Sequence, residues 1–416
     1  MCPGDAARSQ QRWLRAREYL NAHRHDLTRV VQDLYPASRR VAGTQLLARP
    51  EWLPARPVPL EQVTLTWRPG PVGTVIDPVQ PAGSEGVRPL RDDRTRFGSY
   101  ADALAALSPP RLLENRTCYR LLAAGTSAAG AALTFGANRY FDLINVSEAV
   151  AHETAARVLA RQDDGDGDGV AGRDAAGGPV AAAAWPPAAA PLSMRELPLR
   201  SSIGDPLDLA RRSVTTGIAT LILRLDRDAG SAQMFLHWRD PASVAVNGGL
   251  YQVAPAGMFQ PSHEAGWNLA NDLGLWEAIA REVSEELLGT EEDYGSGSAP
   301  IDYPRWPFFA ALADARRAGT LRGYWLAVGA DPLTLDVDLL TVLVFDASFF
   351  DAEFAGLVAA NDEGRLLTGP GATGREAGIE FSAANVARFT GTEAMQAAGA
   401  ALLRLAWQHR GMLLGD

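Results

Sequence analysis

Cysteine is almost missing from this sequence, with Cys2 and Cys118 the only two in 416 residues. Two thiols cannot build a disulfide framework, and a tetrahedral all-cysteine metal site is excluded by number. Lysine is absent too. All 39 basic residues are arginine, a bias that points to a GC-rich genome rather than to a special surface. No window approaches the run of about 18 apolar residues that a membrane span requires. The N-terminus, MCPGDAARSQQRW, lacks the apolar core of a signal peptide, so the cytoplasm is the expected address. A formal charge of −10 argues against a non-specific nucleic-acid binder, whose affinity comes from neutralising phosphates with cations. Neither a G-x-x-x-x-G-K-[ST] phosphate loop nor a G-x-S-x-G elbow occurs, so the sequence offers no support for P-loop or serine-hydrolase chemistry.

Hydrophobic residues make up 47% of the chain, and a chain of 416 residues is expected to form more than one domain. The clearest seam is 162–192, QDDGDGDGVAGRDAAGGPVAAAAWPPAAAPL, which has little to bury and reads as a linker or long surface loop. It divides an N-terminal α/β accessory domain, 1–161, from a C-terminal part, 193–416. The N-terminal part opens with a helix at Trp13–Leu34, followed by a Pro-rich extended stretch. Further helical signals lie at Tyr100–Leu107 and Asn145–Arg161, the latter with Ser147 as its expected cap, and a strand is expected at Leu133–Phe135. In the C-terminal part strands are expected at Ala219–Leu225, Ala232–Trp238, Leu250–Val253, Leu321–Gly329 and Leu339–Phe345. Helices are expected at Leu273–Leu288, Phe308–Ala318 and Thr392–His409. This order describes an α+β class, with an α/β/α layering in the C-terminal part.

The chemistry concentrates in LGLWEAIAREVSEELLG. Trp276, Ile279, Ala280, Val283 and Leu287 recur at three and four residues and form one buried stripe. Glu282, Glu285 and Glu286 fall beside it, within one turn of each other at about 100° per residue. Three like charges that close repel one another unless a cation sits among them. Mg²⁺ or Mn²⁺ takes oxygen ligands and would turn the repulsion into affinity; such an ion can bridge a diphosphate and activate a water. The plainer alternative is a helix face of solvated carboxylates.

Arg281 to Glu286, RE-V-S-EE, resembles the heart of the Nudix motif, G-x5-E-x7-R-E-U-x-E-E-x-G-U, where U is a bulky aliphatic. The resemblance implies a Nudix-like α/β/α sandwich over 193–416 and a pyrophosphohydrolase acting on a nucleoside diphosphate linked to another moiety. It implies Glu282, Glu285 and Glu286 as Mg²⁺ or Mn²⁺ ligands, Glu285 and Glu286 as catalytic, and Arg281 as orienting a glutamate by ion pairing. The sequence also departs from the motif. The final glycine falls at Gly289 rather than 288, and the position of the leading glutamate holds Leu273, with Asp272 beside it as a stand-in or a helix cap. The leading glycine is Gly266 with one extra residue or Gly257 with a longer loop; Gly257 is preferred because AGMFQP follows a strand. A further acid is expected from Glu363, Glu376 or Glu380, and Arg239, with His237 and Asp240, ends a strand near the expected pocket as a substrate contact. The shifted box also admits a second reading, a Nudix-like ligand-sensing or regulatory module without turnover. In either case the partner is a nucleotide-like small molecule, and the N-terminal domain shapes its pocket or a homodimer interface.

Outside the box, YLNAHRHDL, PRLLENRTCYRLL, YFDLINVSEAVAHE and DPLTLDVDLLTVLVFD are similar to a group of actinobacterial proteins, some with a helix-turn-helix domain in front and described as regulators. Trp13–Leu34 carries no recognition-helix pattern, so direct DNA binding is not expected here. Glu148, His152 and Glu153 sit at helical spacing; a helix-surface ion pair is the plainer reading and a ligand contact the sharper one. Asp164, Asp166, Asp168 and Gly169 mimic the start of a calcium loop, but its twelfth position is Ala175, which favours an acidic linker.

Overall fold

The two most continuous apolar stretches, around ATLILRL and DLLTVLVF, lie side by side at the centre of a sheet. The computed structural model describes residues 4–110, 113–165, 191–239, 249–292, 294–355, 360–361, 364–366 and 378–415. Its helices are α1 (Asp5–Val31), α2 (Tyr100–Leu107), α3 (Tyr140–Leu143), α4 (Ala149–Gly165), α5 (Pro198–Ile203) and α6 (Asn268–Asn271), then α7 (Leu275–Leu288), α8 (Pro307–Ala318), α9 (Ala347–Glu353), α10 (Ala383–Gly391), α11 (Ala397–Gln408) and α12 (Arg410–Leu414). The first strands are β1 (Val58–Pro59), β2 (Val63–Trp67), β3 (Thr117–Ser127), β4 (Gly130–Arg139), β5 (Thr216–Asp226), β6 (Ser231–Met234) and β7 (Leu236–Arg239). The rest are β8 (Tyr251–Val253), β9 (Ala256–Met258), β10 (Leu321–Ala330), β11 (Val337–Asp346), β12 (Ala360–Asn361), β13 (Gly364–Leu366) and β14 (Ile379–Glu380). The class is α+β.

The main sheet has seven strands, ordered β1-β10-β11-β5-β6-β14, with β9 also paired to β5. β11 and β5 run parallel from Val337↔Thr216 to Asp346↔Leu225. Strands covered on both faces read as unbroken apolar runs rather than alternating ones, which is why these two are so legible. Two of their polar side chains satisfy each other: the Thr220 and Thr341 hydroxyls hydrogen-bond across the pair at 2.7 Å. One edge of β5 is shared, its start pairing with β9 and its end with β6. α11 packs across β10, β11 and β5, and α9 packs on β5 and β11. A four-stranded sheet, β12-β13-β7-β8, and a three-stranded one, β2-β4-β3, complete the framework.

Several elements differ from the pattern of the sequence. Ala232–Trp238 is not one strand. It breaks at Phe235, whose buried ring stacks on Phe350 with centroids 4.9 Å apart, and the chain passes from the main sheet into the four-stranded one. Thr392 does not begin the last long helix but ends α10, and residues 394–396 bond to Tyr251 instead, which delays α11 to Ala397. Ser147 caps nothing: it lies inside a π-helical turn, Ile144–Glu148, and its buried side chain bonds to Asp336.

The parts before and after the 162–192 segment share their core. One hydrophobic cluster runs from Trp13 to Leu413. β1 forms the edge of the main sheet against β10, a position that tolerates Pro59 because an edge strand can forgo a donor. Tyr119 N–H donates to Phe259 O at 3.1 Å and Leu121 N–H to Val214 O at 3.0 Å, stitching β3 to the chain around β5. Among the described residues, no helix is long and apolar enough to cross a membrane.

Glu148 joins α1 to the turn that opens α4. It is 1% exposed, and its carboxylate receives Arg24 Nη1 at 3.0 Å, Arg24 Nη2 at 2.8 Å and Arg17 Nη1. The helix-surface ion pair expected of Glu148 with His152 is replaced: Glu148 is buried and takes its counter-charges from α1, while His152 Nδ1 meets the Tyr100 hydroxyl. Burial alone would push this carboxyl up, but Arg24 and Arg17 hold it down to about 2. A carboxyl whose pKa falls on folding adds stability that is complete above its ordinary value of 4.5 and is lost as pH drops toward 2. Glu148→Gln leaves two buried guanidiniums without a counter-charge and should cost about 3–5 kcal/mol. Chemical denaturation at pH 7 reads this directly, and a midpoint equal to the parent's would show that the pair contributes nothing.

Candidate functional site

α7 begins after Gly274 and buries Trp276, Ile279, Ala280, Val283 and Leu287, the stripe anticipated from spacing. It ends at Gly289, which takes the left-handed conformation at φ 67°. A side chain is strained there, so the glycine falls where this helix stops and not one residue earlier. The buried stripe fixes the rotation of the helix, and that rotation sends Glu282 and Glu286 toward β9.

Glu282 lies directly on Gly257. A Cβ placed on that glycine would come within 2.0 Å of Glu282 Oε2, so the absence of a side chain makes room for the carboxylate. Glu286 lies on the preceding residue: Ala256 N–H donates to its Oε1 at 2.8 Å. Its other oxygen is 3.9 Å from Nδ1 of the buried His237, at the start of β7. Gly257 and Ala256 are thus brought against Glu282 and Glu286.

Glu285 turns away from that pair. Its Oε1 accepts a hydrogen bond from the Tyr294 hydroxyl at 2.7 Å. Burial pushes its carboxyl up to about 7, against the Tyr294 bond; Glu292 adds to the rise, while Arg281 and Arg116 oppose it. Arg281 does not orient a box glutamate by a direct ion pair. It is buried, donates to the Tyr303 hydroxyl and to Gln260 O at 2.9 Å, and stands 3.9 Å from Asp272 Oδ1. Asp272 is wholly buried and receives Tyr303 OH at 2.9 Å, Ser262 N–H at 2.8 Å and Ser262 OH at 2.6 Å. Of the two roles open to Asp272, capping α7 falls to Gly274, and Asp272 acts as the acid nearest Arg281.

Three oxygen-donor carboxylates on one turn suit a hard cation by type. By position, Glu282 and Glu286 both face β9, at Gly257 and at Ala256 N–H, while Glu285 Oε1 takes the Tyr294 hydroxyl. Among the described residues, no three His, Cys, Asp or Glu side chains form a group that could hold a metal ion.

The other candidates separate from this turn. Arg239 ends β7 opposite Gly364, and its side chain lies outside the described residues, as do Asp240, Glu363 and Glu376. Glu380 is exposed on the edge strand β14, paired with Gln233. His152 and Glu153 are buried with Glu148; Glu153 accepts the N–H groups of Leu199 at 2.7 Å and Arg200 at 3.0 Å, closing the turn into α5. Asp166 and Asp168 lie outside the described residues. Sequence reasoning missed Tyr294 and Tyr303. Their signal is slight, single tyrosines in acid-rich and Pro-rich loops, because nothing local says which carboxylate a loop tyrosine will reach.

The raised Glu285 carboxyl carries a linked prediction. A folded pKa above the ordinary value adds stability only below that value and loses it as pH rises from 4.5 to about 7. Glu285→Gln keeps an acceptor for Tyr294 and cannot ionise. It should melt with the parent at pH 5 and a few degrees, roughly 2–4 °C, above it at pH 8; parallel melting curves at the two pH values would contradict the burial assigned to this group. No family model matches the chain, and a comparison with curated proteins finds no match either.

Proposed function

We propose that this chain is a Nudix-type pyrophosphohydrolase that cleaves a nucleoside diphosphate linked to another moiety, using Mg²⁺ or Mn²⁺ at Glu282, Glu285 and Glu286. The observation that carries the reading is the contact between α7 and β9: Glu282 fills the space left by Gly257, and Glu286 is tied to Ala256 N–H. A turn of solvated carboxylates has no use for a glycine beneath it. Glu282, Glu285 and Glu286 would hold the cation, which would supply positive charge for the diphosphate and an activated water.

The chain's own groups have distinct parts in this reading. Gly257 lets backbone and carboxylate approach, and its neighbours offer main-chain contacts to the substrate. Arg281, anchored by Tyr303 and Gln260, fixes the base of the helix. Glu285 is held by the Tyr294 hydroxyl at 2.7 Å, which fixes its orientation beside the other two carboxylates of the turn. Arg239, at the end of the strand that also carries His237, is the candidate contact for the substrate's second group.

A second reading, a ligand-sensing module that keeps the helix without turnover, is favoured by Glu285, whose Oε1 is occupied by the Tyr294 hydroxyl. One set of assays separates the two. The protein is incubated with varied nucleoside diphosphate derivatives and Mg²⁺ or Mn²⁺, alongside Glu285→Gln and Gly257→Ala. Hydrolysis requires metal-dependent turnover that falls about 100-fold or more in Glu285→Gln. Gly257→Ala should lose activity to a similar degree, because displacing a catalytic group by about 1 Å can cost 100-fold, while its melting point stays near the parent's. A substrate-dependent rise in melting temperature without product would replace hydrolysis by sensing.

A further inference from the structure

A cleft of about 350 Å³ opens between the first turns of α1, residues 86–96 and α4, away from the carboxylate turn in the elements that build it. Trp13, His152 and Leu159 are among the residues that line it, and Arg12, Arg15 and Arg96 surround them. Arg15 is committed to Asp163, which it meets with both terminal nitrogens at 2.7 and 2.8 Å. Neither Arg12 nor Arg96 has an acidic partner among the described residues. Three cations against one acid is a local excess of positive charge on a protein whose formal charge is −10. The volume falls in the range of small-molecule sites, where an apolar wall and a few directed polar groups are the usual lining.

The buried wall supplies one directed donor. Arg17 can only donate, and its bond to the Tyr100 hydroxyl uses an oxygen lone pair. The Tyr100 proton is then left for His152 Nδ1, 3.1 Å away. With Nδ1 accepting, the neutral ring carries its proton on Nε2. Burial and the charge of Arg17 keep this imidazole neutral, lowered to about 3. His152 is 2% exposed and stacks on Trp13 with ring centroids 4.9 Å apart, so the ring is fixed before any ligand arrives.

We infer that this cleft binds a small aryl anion, a phosphate or carboxylate carried on an apolar ring, with the anionic group at Arg12 and Arg96 and the ring against Trp13 and Leu159. His152 Nε2–H donates to the ligand from the wall. The inference rests on none of the groups assigned to hydrolysis, and it gives the N-terminal 161 residues a ligand of their own.

The test uses the full chain in EDTA, so that no divalent ion supports binding at α7. Phenyl phosphate, benzoate and inorganic phosphate are titrated by calorimetry into the parent, the Arg12→Ala/Arg96→Ala double variant and Glu285→Gln. Both altered arginines are exposed, so the double variant should melt with the parent. One of the two aryl anions should bind below about 1 mM, and inorganic phosphate at least about tenfold more weakly. The tighter of the phosphate and carboxylate arms identifies the headgroup. The double variant should weaken binding at least about tenfold while Glu285→Gln leaves it unchanged. Failure of both aryl anions to bind, equal binding by the double variant, or equal affinity for bare phosphate would overturn the assignment.

Discussion

The parallel pairing of β5 with β11 is the constraint from which the rest of the arrangement follows. Antiparallel neighbours can be joined by a tight turn, but parallel ones need a crossover that returns the chain to the same end of the sheet. Here the crossover includes β6 through β10 with α6, α7 and α8. The carboxylate helix is therefore part of the connection that the sheet's topology demands. β9, on the same connection, adds to the edge of β5 at Gly217–Ala219, which places Gly257 where α7 lies across it. The site exists because two segments of one crossover are pinned to each other and to the central strand.

A second constraint is electrostatic. Among the described residues, six arginines, Arg17, Arg24, Arg120, Arg200, Arg212 and Arg281, are buried. Three of them, Arg120, Arg200 and Arg212, donate to neutral oxygens rather than to acids. Arg200 donates to Pro332 O and Leu333 O, both at 2.6 Å, and to Tyr35 OH at 2.8 Å. Arg212 donates to Pro206 O at 2.9 Å and to Leu335 O, in the turn where Leu335 itself takes a left-handed φ of 63°. A planar fork with five donors and weak hydration can do this, whereas an ammonium offers three donors on a strongly hydrated point charge. The complete replacement of lysine by arginine thus has a structural use in the interior. These contacts tie the β10–β11 turn to α4, α5 and the Tyr35 segment, across the 162–192 boundary.

Much of the architecture was legible because its cause is local. α2 and α7 follow from apolar spacing, and β5, β10 and β11 from apolar runs too long for anything but a covered strand. The 162–192 segment stands out by composition, yet the residues on either side of it join one core, since a composition shift does not mark where a core ends. The break at Phe235 and the delayed start of α11 were not legible. In each, a partner distant in sequence, Phe350 for the first and Tyr251 for the second, outcompetes the local pattern. Ser147 looked like a helix cap for the same reason: its neighbours are helical, and only Asp336 reveals what its side chain bonds to.

At the candidate site the division is equally physical. The sequence alone determined that Glu282, Glu285 and Glu286 share one turn beside a buried stripe, because a helix of this period allows nothing else. Tertiary structure decided what each carboxylate faces: Gly257 for the first, Tyr294 for the second and Ala256 N–H for the third. Helical spacing sets the angle between side chains, but the burial that lifts the Glu285 carboxyl, and the partners that each of the three meets, come from strands and loops brought in from elsewhere along the chain.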